Sequence, residues 1–87
     1  MENNSAIYKE KRSIIFKTFD GKMKVFHFYK GTTINTVLKS FLNETGKSGN
    51  DIIFLYNSKT VNLGDNTTIE DYFLHNVNPI ILVQIIK

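Results

Sequence analysis

The chain of 87 residues contains no cysteine. That excludes a disulfide framework, a thiolate metal site, an iron–sulfur cluster and a cysteine nucleophile. No apolar run approaches the roughly 18 residues that a membrane-crossing helix needs. The five glycines are scattered as turn formers, so no glycine-rich loop is present to cradle a phosphate. Histidine occurs only as His27 and His75. They fall on different predicted elements, in no motif with a serine and at no metal-ligand spacing, which argues against nucleophilic catalysis and a metal site. Glu70 and Asp71 are adjacent carboxylates, but neighbours on a helical turn diverge and do not form an acid/base pair. No cofactor is expected, and the chain reads as a non-enzyme.

Arginine is also scarce: Arg12 is one of eleven basic residues, against eight acidic ones, for a net charge of +3. The basic excess lies in residues 1–30, at Lys9, Lys11, Arg12, Lys17, Lys22, Lys24 and Lys30. Arginine is the better reader of phosphates and bases, so this excess, lysine in all but Arg12, speaks against nucleic acid. Lysines guarding an edge hairpin account for it more simply. The opening MENNSAIYKEKRS has no apolar stretch of the signal-peptide kind, so a cytoplasmic or nuclear protein is expected.

Leu, Ile, Val and Phe together form a third of the chain, enough for one small domain with a regular core. Residues 1–11 show no apolar period and read as a flexible tail, with the domain at 12–87. Residues 12–19 and 22–29 are β-branched and aromatic, and Asp20-Gly21 between them signals a hairpin. Ile34, Val37, Leu38, Phe41 and Leu42 recur with helical period, Thr33 suits the N-cap, and Gly46 can close the helix in the left-handed conformation. Further strands are predicted at 52–56, 60–63 and 80–86, with turns at 57–59 and 76–79. Thr68 caps one helical turn at 68–72. This order predicts an α+β fold, a mixed sheet of four to five strands with one helix packed across one face, its first and last strands parallel in the middle.

One helix covers only one face of a sheet, so strands with a wet face should alternate. The third and last strands do not. Alternation sets Leu55 opposite Phe54 and Tyr56. In the last strand it is read as sending Ile80 and Leu82 to the helix and Ile81, Val83 and Ile85 outward. With Ile15 and Phe19 these side chains are expected to form a bare apolar patch, the mark of a protein-binding surface.

The motifs Lys17-Thr18-Phe19-Asp20-Gly21-Lys22, Phe54-Leu55-Tyr56-Asn57-Ser58-Lys59-Thr60-Val61 and Thr68-Ile69-Glu70-Asp71-Tyr72 resemble ubiquitin's K-T-L-T-G-K, L-I-F-A-G-K-Q-L and T-L-S-D-Y. Val37-Leu38-Lys39-Ser40-Phe41 is similar to SUMO's L-M-K-A-Y. Over about Ser13 to Ile86 the chain thus resembles the ubiquitin-like family. The resemblance implies a β-grasp fold and protein partners of the ubiquitin-pathway type, for a monomeric interaction module within a larger protein. Its partner-binding residues would be Phe19, Leu55, Ile81 and Val83, with Lys59 beside them. A SUMO-type groove along the second strand would use Val25, Phe26, His27, Phe28, Tyr29 and Val37. Tyr72 matches a tyrosine whose hydroxyl ties down the preceding loop. The Gly-Gly end that conjugated members carry is not in this sequence, which closes on Ile85-Ile86-Lys87. A conjugated modifier or its precursor is the first alternative. A Ras-association or Phox/Bem1-type domain using Lys22, Lys24 and Lys30 is the second.

Overall fold

The computed structural model describes residues 10–74 and 76–86. His75 and residues 1–9 of the expected tail lie outside them. Strand β1 spans Lys11–Thr18 and β2 Met23–Tyr29; helix α1 spans Ile34–Thr45; β3 is Ile52–Tyr56, β4 Lys59–Val61, the single turn α2 Ile69–Tyr72, and β5 Ile80–Ile85. A 3₁₀ turn at Gly49–Asp51 leads into β3. The strands form one five-stranded mixed sheet in the order β2-β1-β5-β3-β4. β1 and β5 run parallel inside it, and the other neighbours are antiparallel. The fold is therefore a small α+β domain with one main helix, as the element order predicts.

The first connection differs from the expected two-residue Asp20-Gly21 turn. Phe19, Asp20 and Gly21 form a three-residue loop, closed by Thr18 N–H to Lys22 O (2.9 Å) and Gly21 N–H to Thr18 O (3.0 Å). Of these three residues only Gly21 has positive φ, at 92°. A turn followed by one left-handed glycine is the usual three-residue hairpin solution. Its length sets the register, Ile14 opposite Phe26 and Arg12 opposite Phe28, so both Phe side chains of β2 share the helix side with Ile14. A two-residue turn would move every residue of β2 by one position and send those rings to the other face.

Helix α1 begins and ends where its caps dictate. The Thr33 hydroxyl accepts from Thr36 N–H, and Gly46 adopts φ 72° with its N–H donating to Leu42 O. Two further N-terminal donors find carbonyls in the following loop: Ile34 N–H reaches Thr67 O and Asn35 N–H reaches Asp65 O. The Asn35 side chain returns a bond, its Oδ1 accepting from Gly64 N–H at 2.8 Å. The long loop before α2 is thereby held against the start of α1. Thr68 caps α2 by accepting from Asp71 N–H.

Ile34, Val37, Leu38 and Phe41 of α1 are buried against Ile14, Phe16, Ile52, Phe54, Val61, Ile81 and Val83 of the sheet. Phe16 lies in the middle. Its ring stacks on Phe41 at 4.5 Å and meets Phe26 and Phe54 edge-on at 5.4 and 6.0 Å. Such pairs add about 0.5–1.5 kcal/mol each beyond their area. Truncation to Phe16→Ala should therefore cost about 3–5 kcal/mol, a large share of the stability of a domain this size. Urea unfolding checks it: the midpoint should fall steeply with little change in slope.

Candidate functional site

The sheet face away from α1 carries the residues of opposite parity. Across it in register run Met23, Lys17, Leu82, Leu55 and Thr60, and beside them Val25, Ile15 and Ile80. Leu82 is 47% exposed, Ile80 44%, Val25 55% and Met23 60%, so no described element covers this face. Ile15, Ile53 and Leu55 are half-buried between their neighbours. Phe19, lifted out of β1 by the three-residue turn, is 84% exposed. Phe19, Lys17, Leu55, Leu82 and Gln84 line a shallow groove of about 380 Å³.

This layout corrects the expected facing of β5. Ile81 and Val83 are buried in the core, at 0% and 2% exposure, and Ile80 and Leu82 point outward. The cause is register. β1 pairs Phe16 with Ile81 and Thr18 with Val83, and β3 pairs Phe54 with Val83, so both side chains join the helix-facing rows. A strand inverted by one residue exchanges its entire faces. Gln84 carried the missing signal. It is the only polar residue within Ile80–Ile85 and shares its parity with Ile80 and Leu82. Phe19, Leu55 and Ile15 lie where alternation predicts. Lys59 is exposed, but it stands opposite Tyr56, whose side chain packs on the core, so its register position belongs to the helix side.

The residues expected to line a second-strand groove do not share a surface. Val37 is fully buried under α1. Phe26 and Phe28 are half-buried on the helix side, their rings stacked 5.9 Å apart. Val25, His27 and Tyr29 alternate with them and occupy the outer face. Lys11 lies 4.9 Å over the Tyr29 ring, its direct partner in the register. Lys11 thus belongs to β1 and not to the tail.

The basic residues of the hairpin are partly engaged by carboxylates of the same chain. Lys30 Nζ lies 2.9 Å from Glu10 and 3.8 Å from Glu70, and Arg12 lies 3.4 Å from Glu70. This four-residue network joins the start of β1, the end of β2 and α2. The Glu10 carboxyl is held below its ordinary pKa by its hydrogen bond and charge contact with Lys30. Lys24 Nζ lies 3.8 Å from Glu44. Of the three lysines a charge-pairing second strand would use, Lys24 and Lys30 therefore already have partners.

One juxtaposition was hidden by the turn length. Ser13 and His27 stand opposite each other, with Ser13 Oγ 3.1 Å from His27 Nδ1. The pair lies on the open outer surface, and the described contacts give it no orienting carboxylate; it is a cross-strand polar contact. At the other end of the sheet the Tyr56 hydroxyl accepts from Asn76 Nδ2 at 3.0 Å. Tyr72 packs its ring against Tyr56 and Phe73, and burial, with Asp65 next, pushes its phenol pKa up. Among the described residues the tyrosine hydroxyl bonded to a loop is thus that of Tyr56 and not Tyr72. No group of three potential metal ligands occurs among the described residues, and no helix is long and apolar enough to cross a membrane. No protein-family model matches the chain, and no curated protein matches it.

Two measurements check the geometry. Ile81→Ser should destabilise by about 3–5 kcal/mol, and Leu82→Ser, one residue on, by less than about 1 kcal/mol. Thermal or urea unfolding of the two variants reads the facing of β5 directly. The turn that presents Phe19 should respond to acid. The Asp20 carboxylate accepts from the Thr18 hydroxyl and from Lys22 N–H, and these bonds hold its pKa below the ordinary aspartate value. A depressed folded-state pKa means that the contribution is present above the unfolded value and lost as pH falls through the folded one. Between about pH 5 and 2, Asp20→Asn should therefore show a shallower loss of stability than the native chain.

Proposed function

We propose that this chain is a β-grasp domain of the ubiquitin-like kind, acting as a non-catalytic module that binds partner proteins through the outer sheet face. The single observation that carries this reading is the contiguous apolar face that none of the described residues covers: Phe19, Leu82, Ile80, Val25 and Met23 are all more than two-fifths exposed. Monomeric soluble proteins seldom leave such a patch open without a use for it. The helix covers the opposite side, so the open face is not a remnant of an incomplete core. Leu55 and Leu82, adjacent across the β3–β5 pair, would form the centre of the contact, with Phe19 as an exposed anchor and Lys17, Thr60 and Gln84 as polar surroundings.

The mixed sheet with parallel central strands, the hairpin, and the helix across one face support the ubiquitin-like assignment, as do the motifs on the first turn, β3 and α2. Within that assignment the outer-face positions on β5 are Ile80 and Leu82 in place of Ile81 and Val83. A face of this kind on a domain of this size makes a small contact, in which a few apolar anchors dominate.

The test is affinity capture from extracts of the source cell with the native chain, Leu82→Ser and the double variant Leu55→Ser/Leu82→Ser. Partners held by the native chain should be lost, at least about tenfold, with the double variant while its fold is retained. Undiminished capture by a folded double variant overturns the reading. Titration with an isolated ubiquitin-receptor domain, followed by amide shifts at Leu55 and Leu82, tests the kind of partner separately.

A further inference from the structure

The two lateral edges of the sheet differ. β4 is an edge of three residues, Lys59–Val61, whereas β2 is an edge of seven, Met23–Tyr29, without proline or glycine. Five of the seven, Met23, Val25, Phe26, Phe28 and Tyr29, are apolar or aromatic. Thr18 N–H donates to Lys22 O and Lys30 N–H to Glu10 O, so the even-numbered residues of β2 are the ones that bond β1. By the same alternation the backbone N–H and C=O groups of Met23, Val25, His27 and Tyr29 point away from β1, to the open edge. Among the described residues only one of these groups has a backbone partner, the Tyr29 carbonyl, which accepts from Thr32 N–H at 2.9 Å. A long apolar edge is a template for another strand, and lysines are its usual guard. Here each lysine has a carboxylate of its own chain beside it. Lys24 lies 3.8 Å from Glu44 and Lys30 2.9 Å from Glu10, and the Asp20 carboxylate accepts from Lys22 N–H at 3.3 Å.

We infer that a second copy of this chain pairs with this edge, β2 against β2 in antiparallel sense, in place of the monomer that the resemblance implies. The edge is self-complementary. A twofold axis through Phe26, normal to the sheet, sets Val25 opposite the second copy's His27 and Met23 opposite its Tyr29, so every residue with outward backbone groups is engaged at once. An axis through Val25 or His27 leaves Tyr29 or Met23 unpaired. Phe26 then meets the second copy's Phe26 in the closer, non-hydrogen-bonded kind of pair, and Lys24 lies opposite its Phe28. Phe26 and Phe28 are only half-buried within one chain, so a neighbouring strand covers ring area that α1 leaves in water. Lysine against an aromatic ring repeats a contact this sheet already makes, Lys11 at 4.9 Å over Tyr29. Lys22 comes opposite the second copy's Lys30, and the carboxylates of Asp20 and Glu10 temper that repulsion. An unrelated strand would find the same backbone groups but not these side-chain pairs. The twofold axis keeps both helices on one side, so the two outer faces join into one apolar surface. A contact of one strand from each copy is small, below about 1,200 Å² in total, so the dimer is weak and concentration-dependent.

Sedimentation equilibrium of the full chain from about 10 to 500 µM should show a mass rising from one chain towards two. In an equal mixture of isotope-labelled and unlabelled chains, filtered NOEs should link Val25 to His27 and Lys24 to Phe28 between copies. Val25→Pro removes an outward N–H that a single chain does not use, so the fold should survive while association weakens at least about tenfold. Should Val25→Pro not fold, Met23→Lys/Val25→Lys keeps the backbone intact and adds like charges at the seam, with the same expected loss. Leu82→Ser, on the outer face away from β2, should associate as the native chain does. A single-chain mass up to about 500 µM overturns the proposal. So does undiminished association of a folded edge variant, loss of association in Leu82→Ser, or NOEs that place residues 1–9 of the chain on the edge.

Discussion

The burial of Phe16 joins the parts of this fold that would otherwise be separate. Its strand, β1, pairs with β2 on one side and β5 on the other, and its ring stacks on Phe41 of α1 while meeting Phe26 and Phe54 edge-on. The hairpin, the helix and the C-terminal half of the sheet thus share one side chain. Its neighbours in sequence, Ile15 and Lys17, point the opposite way and belong to the open face. The outer face and the packing of the core are thus two sides of the same strand.

The local devices were readable because each has a short-range cause. Thr33 and Thr68 cap, Gly46 closes α1 and Gly21 bends the hairpin, each where its own chemistry is favourable. The face of α1 was readable because Ile34, Val37, Leu38 and Phe41 contrast with Lys39, Asn43 and Glu44. What eluded the sequence was parity in strands that are apolar on both sides. In Ile80–Ile85 hydrophobicity distinguishes nothing, and only Gln84 marks the wet side. The hairpin register depended on a third loop residue, Phe19, that looks like strand. Two neutral-looking register choices therefore decided whether Ile81 or Leu82 lay on the outer face, and whether Ser13 met His27 or Phe28.

Charge is spread unevenly over the same architecture. The outer face is broad, shallow and nearly free of charge apart from Lys11 and Lys17, which suits a contact made by area and shape. Lys30 and Arg12 are tied into the Glu10–Glu70 network at the end of the hairpin away from its turn.

The order β2-β1-β5-β3-β4 also determines when the domain can exist at all. β5 is the last strand along the chain, yet it lies at the centre of the sheet, between β1 and β3, and supplies Ile81 and Val83 to the core. Until it arrives, the β1–β2 hairpin and the β3–β4 pair have no common sheet, and α1 has no continuous floor. During synthesis the chain must emerge through Ile85 before a stable core can close, some sixty residues after the strand that β5 joins. Folding is then governed by a long-range parallel pairing, slow relative to helix and hairpin formation, and the nascent chain carries its exposed phenylalanines until that pairing is made.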